Sequence, residues 1–146
     1  MNKIQSLAAT VALLFNVGCM TPLERYTHEV GHKPETIEEL KSYGRWSEGQ
    51  GEYHEAISAY KGILQRSNDN NDIARLDLGR AYITCLKGIR RQIRGSFPIR
   101  SRPSLIYEGT KVCMEAEEFI KTLPDTKELY PFGENIRYHC DHIKNP

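Results

Sequence analysis

Gly51-Glu-Tyr-His-Glu-Ala-Ile-Ser-Ala-Tyr-Lys-Gly-Ile-Leu64 is the stretch that decides the fold. Its apolar residues recur at i, i+3, i+4, i+7, i+10 and i+11, which places them on one face of an α-helix. They are Tyr53, Ala56, Ile57, Tyr60, Ile63 and Leu64. A turn with two glycines, residues 49–51, separates this stretch from an earlier helical stripe around Tyr43-Gly44. The sequence therefore predicts a pair of helices that cross closely at the small residues Gly44 and Ala56.

Capping signals set the ends of these two helices. Thr36-Ile-Glu-Glu39 is a capping box, in which the Thr36 hydroxyl accepts from the Glu39 amide and the Glu39 carboxylate reaches back. The first helix is predicted over about residues 37–48 and the second over about 52–66. The polar turn 67–71 carries helix-capping residues, so a third helix is predicted from Asp72 onward.

The remaining segments are interpreted from periodicity and from helix breakers. A fourth helix is predicted from Leu105 to about Leu123 after a Ser104 cap, and a last one from Pro131, a favoured first-turn position. Segment 87–103 contains glycines and prolines and is predicted as a basic loop, at least in its latter half. Residues 20–34 show no sustained period and are predicted as a tether with a short turn of helix at most. Runs of β-branched residues are scarce, so a sheet is not expected.

The hairpin resembles a tetratricopeptide (TPR) repeat, with a second, interrupted unit starting at Leu78-Gly79-Arg-Ala-Tyr82. The matching residues of the first unit are Tyr43, Gly44, Gly51, Tyr53, Ala56, Tyr60 and Leu64. The resemblance implies an all-α, short TPR-like helical-hairpin array of about five helices over residues 36–146. In such arrays the first helix of each unit lines a groove that binds another protein. By position, this groove face holds Glu38, Lys41, Arg45, Glu48, Leu76, Arg80 and Ile83.

The first residues resemble a bacterial lipoprotein signal. A weakly basic start precedes an apolar run from Ser6 to Phe15, which is too short to span a bilayer, and the run leads to Gly18-Cys19. The resemblance implies removal of residues 1–18, attachment of diacylglyceryl and a further acyl chain such as palmitate to Cys19, and a tether over 19–35. Met20 after the cysteine favours sorting to the outer membrane. The alternatives are a signal peptide cut elsewhere and an uncleaved anchor.

The length and charge of the chain limit the functions that it can have. The 146 residues suit one domain, and the net charge is +1. Loss of residues 1–18 removes only Lys3 among the charged residues and leaves a net charge of zero, so overall charge does not favour nucleic-acid binding. Between Gly79 and Tyr107 there is no acidic residue. An anionic contact is one interpretation of this run and a solvated loop is the other. The candidate contact residues are Arg90, Arg91, Arg94, Arg100 and Arg102.

Two further patterns point to chemistry. His28-Glu-Val-Gly-His32 matches the H-E-x-x-H motif, in which two histidines on one helical turn bind zinc and the glutamate activates water. Gly31 and the nearby Pro34 weaken the helix that this site needs, so no metal or cofactor is predicted. His139, Cys140 and His142 form a weaker metal pattern. Once Cys19 is lipidated, Cys85, Cys113 and Cys140 remain, and the sequence leaves their three possible pairings open.

The sequence thus predicts a membrane-anchored TPR-like lipoprotein of the bacterial cell envelope. Its expected role is that of a non-enzymatic adaptor for protein–protein interaction and assembly, on the periplasmic face of the outer membrane. The expected partners are unidentified envelope proteins and the membrane, with a homo-oligomer possible and no nucleic acid. The alternatives are a zinc metallopeptidase using His28, Glu29 and His32, and a structural envelope protein that binds anionic lipid or cell-wall polymer through its basic loop.

Overall fold

A computed structural model describes residues 20–68, 70–95, 101–124 and 129–146. These residues form six α-helices, and the described ranges contain no strand. The helices are α1 Pro22–Val30, α2 Ile37–Gly49, α3 Tyr53–Arg66, α4 Asp72–Arg94, α5 Arg102–Thr122 and α6 Tyr130–Lys144. The all-α prediction is confirmed, and α1 is the helix beyond the expected five. The predicted signal segment 1–18, Cys19 and Arg100 lie outside the described residues.

Helices α2 to α6 alternate in direction along the chain. Helix α2 is antiparallel to α3, because Gly62 lies beside Leu40 and Gly44 faces Tyr60. Helix α4 runs back against α3, since Gly88 near its C-terminal end meets Tyr53 at the start of α3. Helix α5 continues the alternation, and α6 packs on both α4 and α5.

Two side-chain contacts show that α3 and α5 run parallel on the same side of α4. His54 Nε2 lies 2.8 Å from Glu108 Oε1, and Lys61 Nζ lies 2.6 Å from Glu115 Oε2. Each pair joins residues 54 positions apart, so both helices advance by seven residues from one contact to the next. Helices α3 and α5 therefore lie side by side, and α4 packs against both of them.

The N-terminal tether prediction is wrong over 22–30, because these residues form α1. Thr21 caps it through a capping box with Glu24, and Pro22 occupies its first position. Its Tyr26 is buried, with ring centroids 5.0 Å from Tyr43 and 5.5 Å from Trp46. This aromatic cluster supplies the burial that a nine-residue helix needs, since helices this short are marginal in water.

The basic loop predicted over 87–103 is corrected in its first half, because α4 continues as a helix to Arg94, and residues 96–100 lie outside the described residues. Gly88 does not break the helix: a Cβ built on it would lie 3.7 Å from the Tyr53 ring, at ordinary contact distance. Helix α5 begins at Arg102 after Ser101, three residues earlier than the predicted Ser104 cap allowed. Pro103 fits there because the first helical turn does not need its missing N–H.

One continuous core joins α3, α4, α5 and α6. Its fully buried side chains include Tyr60, Leu78, Tyr82, Leu86 and Ile136. A disulfide links Cys113 on α5 to Cys140 on α6, with 5.6 Å between the Cα atoms. Of the pairings left open by the sequence, this is the one formed, and Cys85 remains a buried free thiol.

The capping box at the start of α2 should make the free energy of unfolding depend on pH in the acidic range. The backbone amides of Thr36 and Glu35, followed by the His32 ring, lower the pKa of Glu39 from about 4.5 to about 2. Because the folded-state pKa is the lower one, we expect this stabilisation to be complete above about pH 4.5 and lost as the pH falls toward 2. Urea unfolding across this window measures it.

Glu38 provides the control for that prediction. It lies in the same first turn of α2 and is exposed. Glu39→Gln should flatten the fall in the free energy of unfolding between about pH 4.5 and 2, whereas Glu38→Gln should leave most of it. Equal flattening by the two variants would contradict a specific role for Glu39.

Candidate interaction surface

The candidate site is the outer face of α4, which we call the α4 stripe. Its residues follow one another at spacings of three and four along the helix, so they share one side. They are Leu76, Arg80, Ile83, Lys87, Arg91 and Arg94. The N-terminal half of the stripe is partly apolar and the C-terminal half is basic. Helix α2 flanks the first half and α6 flanks the second, as the following contacts show.

An ionic cluster closes the stripe against α2. Arg80 Nη2 lies 3.2 Å from Glu48 Oε2 and 3.2 Å from Asp77 Oδ1. Glu48 also accepts a hydrogen bond of 3.1 Å from the hydroxyl of Tyr60, whose ring is fully buried. Burial, with the Glu48 carboxylate, raises the pKa of Tyr60, so this hydroxyl remains a donor. Two of the predicted partner-binding residues, Glu48 and Arg80, therefore bind each other and join α2, α3 and α4.

The other predicted groove residues remain at the surface. Glu38 and Arg45 are exposed on α2, and Lys41 is half-buried. Leu76 and Ile83 are half-buried on α4, and Ile83 also packs against the core. The structure thus brings one charged pair of the predicted set together and leaves the remaining five side chains accessible to different degrees.

The basic half of the stripe forms a groove of about 510 Å³ with α6. Its lining residues are Lys87, Arg90, Arg91, Arg94, Gly95 and His139. The groove widens the predicted anionic site, because it adds Lys87 from α4 and one wall from α6. The sequence does not predict that wall, because it depends on how α6 packs against α4.

Arg90 differs from its neighbours because α6 holds it. Its guanidinium lies 4.9 Å from the centre of the Tyr138 ring and 3.3 Å from the Tyr138 hydroxyl. Its Nη1 lies 3.4 Å from Nδ1 of His139. Burial, followed by the charges of Arg90 and Lys87, lowers the pKa of His139, so this imidazole is neutral near pH 7. Arg90 is therefore a positioned cation within the groove.

Of the other predicted anionic contacts, Arg91, Arg94 and Arg102 are exposed. None of them forms an ion pair within the described ranges. Arg91 and Arg94 end α4 and Arg102 begins α5, so all three lie at the same end of the helix bundle. A ligand approaching this end meets several cations whose charge no described carboxylate neutralises directly.

The H-E-x-x-H motif lacks the helix that a zinc site requires. Helix α1 ends at Val30, and Gly31 adopts a left-handed conformation with φ 94°. His32 therefore lies beyond the helix and contacts Glu39 at 2.9 Å. Glu29 accepts a hydrogen bond of 3.0 Å from the indole of Trp46. The described part of the chain holds no cluster of three metal-ligating side chains.

The cysteines also have structural partners or surroundings. Cys140 is in the disulfide, which removes it as a thiolate ligand beside His139 and His142. Cys85 lines a cavity of about 280 Å³ with His54 and Glu108. Burial raises the pKa of the Cys85 thiol to about 12, so the reactive thiolate is not formed near neutral pH.

Comparison with known protein families, curated proteins and solved structures finds no match. Among the helices that the structure describes, none is both long and apolar enough to cross a membrane.

Proposed function

We propose that this protein is a lipid-anchored adaptor of the bacterial cell envelope that binds a segment of another protein across α2 and α4. The observation that carries the proposal is the accessible first half of the α4 stripe beside α2. Leu76 and Ile83 offer apolar surface there, while Lys41 and Arg45 offer charge. A mixed apolar and charged surface next to an ionic cluster is suitable for holding an extended or helical peptide.

The packing of the first helix pair supports the TPR-like part of this proposal. A Cβ on Gly44 would lie 2.8 Å from the ring of Tyr60, so the two helices are in contact at this glycine. Ala56 is fully buried on the partner helix. A second close approach is at Gly79 on α4, where a Cβ would lie 3.0 Å from Phe132 of α6. In this reading α2 to α5 form two units and α6 is a terminal capping helix.

Two observations support the location. Gly18-Cys19 after an apolar run is the pattern of a lipoprotein signal. The buried Cys113–Cys140 disulfide fits an oxidising compartment such as the periplasm.

Site-specific photocrosslinking in intact cells tests the adaptor role. A photoreactive residue at Arg45, on the proposed binding face, should give a discrete protein adduct. The same residue at exposed Gln65 on α3 is the matched control and should give none. Lys41→Glu, introduced beside the Arg45 probe, should weaken the adduct by charge reversal. Identical adducts from both probe positions, or no adduct from Arg45, would contradict the proposal.

Mass spectrometry of the membrane fraction tests the anchor separately. The expected mature chain starts at Cys19 and carries acyl groups, while Cys19→Ser should carry none. A mature chain that starts at another, unmodified residue would contradict lipidation, and it would leave the photocrosslinking result standing.

A further inference from the structure

The end of the bundle that holds the start of the described chain also holds the basic end of α4. Arg25, in the first half of α1, donates a hydrogen bond of 2.6 Å to Glu52, just before α3. Tyr53 next to it contacts Gly88 on α4. A single cavity includes residues 51–54 together with residues 88, 89 and 92. The α2–α3 turn therefore lies between the start of α1 and the last turns of α4, and we call this the proximal end.

The proximal end has an excess of positive charge. Its exposed cations that form no ion pair with a described residue are Lys87, Arg91, Arg94 and Arg102. Its exposed carboxylates are Glu24 and Asp141, and its half-buried carboxylates are Glu48, Glu52, Glu55 and Glu108. Glu24 is engaged in the capping box of α1, Glu52 is paired with Arg25, and Glu108 lies 2.8 Å from His54. Asp141 is exposed and forms no ion pair with a described residue, so the four exposed cations outnumber the two exposed carboxylates.

Helix stabilisation accounts for only part of this charge. Cations in the last turn of a helix interact favourably with its dipole, by about 0.3–1 kcal/mol each, which suits Arg91 and Arg94. Arg102 is at the first position of α5, where the dipole disfavours a cation, and that first turn contains no acidic residue. Lys87 lies two turns before the end of α4. A common ligand of negative charge would account for all four positions.

We propose that the proximal end lies against an anionic lipid surface, with Lys87, Arg91, Arg94 and Arg102 in contact with the headgroups. This rests on the lipid anchor of the proposed function. Pro22 is three residue steps from Cys19, and an extended chain spans about 10 Å over three steps. Electrostatic attraction to lipid extends over a similar distance, about 8 Å at physiological ionic strength. The anchor therefore holds the cations within range of the surface.

The anchor and the cations have different consequences. Acyl chains keep a protein on the membrane but leave it free to tilt, whereas basic side chains contribute about 1 kcal/mol each near an anionic surface. Binding through the proximal end would stand the bundle on the membrane. The distal end, with the α1–α2 and α3–α4 connections, then points away from it.

The single tryptophan of the chain reports this orientation. Trp46 lies in the last turn of α2, beside Arg25, and is therefore near the proximal end. Full-length protein purified from membranes is placed in vesicles that carry dansyl-labelled headgroups. Energy transfer from Trp46 to dansyl should be higher with phosphatidylglycerol than with phosphatidylcholine alone. High salt should reduce it to the phosphatidylcholine level, because the attraction is screened.

Two triple variants with the same charge loss separate the ends of the bundle. Lys87→Gln, Arg91→Gln and Arg94→Gln should abolish the dependence of transfer on anionic lipid. Each neutralised cation should lower the equilibrium constant for the surface-bound orientation about fivefold, the equivalent of about 1 kcal/mol. Lys33→Gln, Arg66→Gln and Lys121→Gln lie at the distal end and should have no effect on transfer. Arg90 is retained in both variants because it packs on Tyr138.

Equal transfer in both lipids, or equal loss in both triple variants, would overturn the proposal and favour an acidic protein segment as the ligand. Mass analysis of the same sample shows whether Cys19 is acylated. If it is not, the chain is mixed with preformed vesicles, where transfer that still requires phosphatidylglycerol supports the basic surface and refutes only the anchor. Absence of transfer in that arm refutes the basic surface as well.

Discussion

Removal of the Cys113–Cys140 disulfide should lower the free energy of unfolding by roughly 3–4 kcal/mol. The bond closes a loop with a sequence separation of 27, and a loop of this size restricts the unfolded chain by about that amount. The disulfide joins α5 to α6, and both of its cysteines are fully buried. Urea unfolding of the wild type and of the Cys113→Ala/Cys140→Ala double variant measures the loss.

Reductant and the third cysteine provide the controls. Wild-type protein that is unfolded, reduced and refolded under reducing conditions should have a lower free energy of unfolding. The free energy of unfolding of the double variant should not depend on reductant. Cys85→Ala should remain sensitive to reductant, because Cys85 is a free thiol. A Cys85→Ala variant that has lost this sensitivity would show that Cys85 takes part in the disulfide.

The central helix pair was predictable because its signals are local. The stripe of α3 and the Thr36 capping box define helices whose boundaries differ from the prediction by a residue or so. The same helical period predicted Cys140 and Ile143 on the apolar face of the last helix, and both residues are fully buried. Local patterns succeed here because the apolar face of each helix is the face that the tertiary structure buries.

The predictions were wrong where contacts between distant residues determine the secondary structure. Helix α1 did carry a local signal, the capping box of Thr21 and Glu24, but Tyr26 is buried only because α2 presents Tyr43 and Trp46 to it. The glycine at 88 indicated a loop, yet it fits within α4 against Tyr53. Helix propensity is a weak term, and packing of this kind overrides it.

The candidate site was predictable in part for the same reason. The TPR resemblance placed Glu48 and Arg80 on one predicted binding face. In the structure the two side chains are close together, but they bind each other rather than remaining free for a ligand. The α6 wall of the basic groove depends on how a distant helix packs on α4, which no local period specifies. The choice of cysteine pair has the same dependence on long-range packing.

Gly44→Ala should destabilise the protein, although the same change stabilises most helices. The new Cβ would lie 2.8 Å from Cε1 and 2.9 Å from Cζ of Tyr60. That ring has no room to move, because it is fully buried and its hydroxyl binds Glu48. Overpacking of this kind costs about 1–3 kcal/mol, and the better helix propensity of alanine returns up to about 1 kcal/mol. The expected net loss in the free energy of unfolding is roughly 1–2 kcal/mol.

Gly62→Ala is the matched substitution on the facing helix, and it should have the opposite sign. A Cβ there would meet only Leu40 Cδ1, at 3.7 Å, which is an ordinary contact. The gain in helix propensity should then raise the free energy of unfolding by about 0.5–1 kcal/mol. Urea unfolding of both variants gives the two values under the same conditions. If Gly44→Ala were as stabilising as Gly62→Ala, the close approach of α2 and α3 at Gly44 would be wrong, and with it the TPR-like packing proposed for this pair.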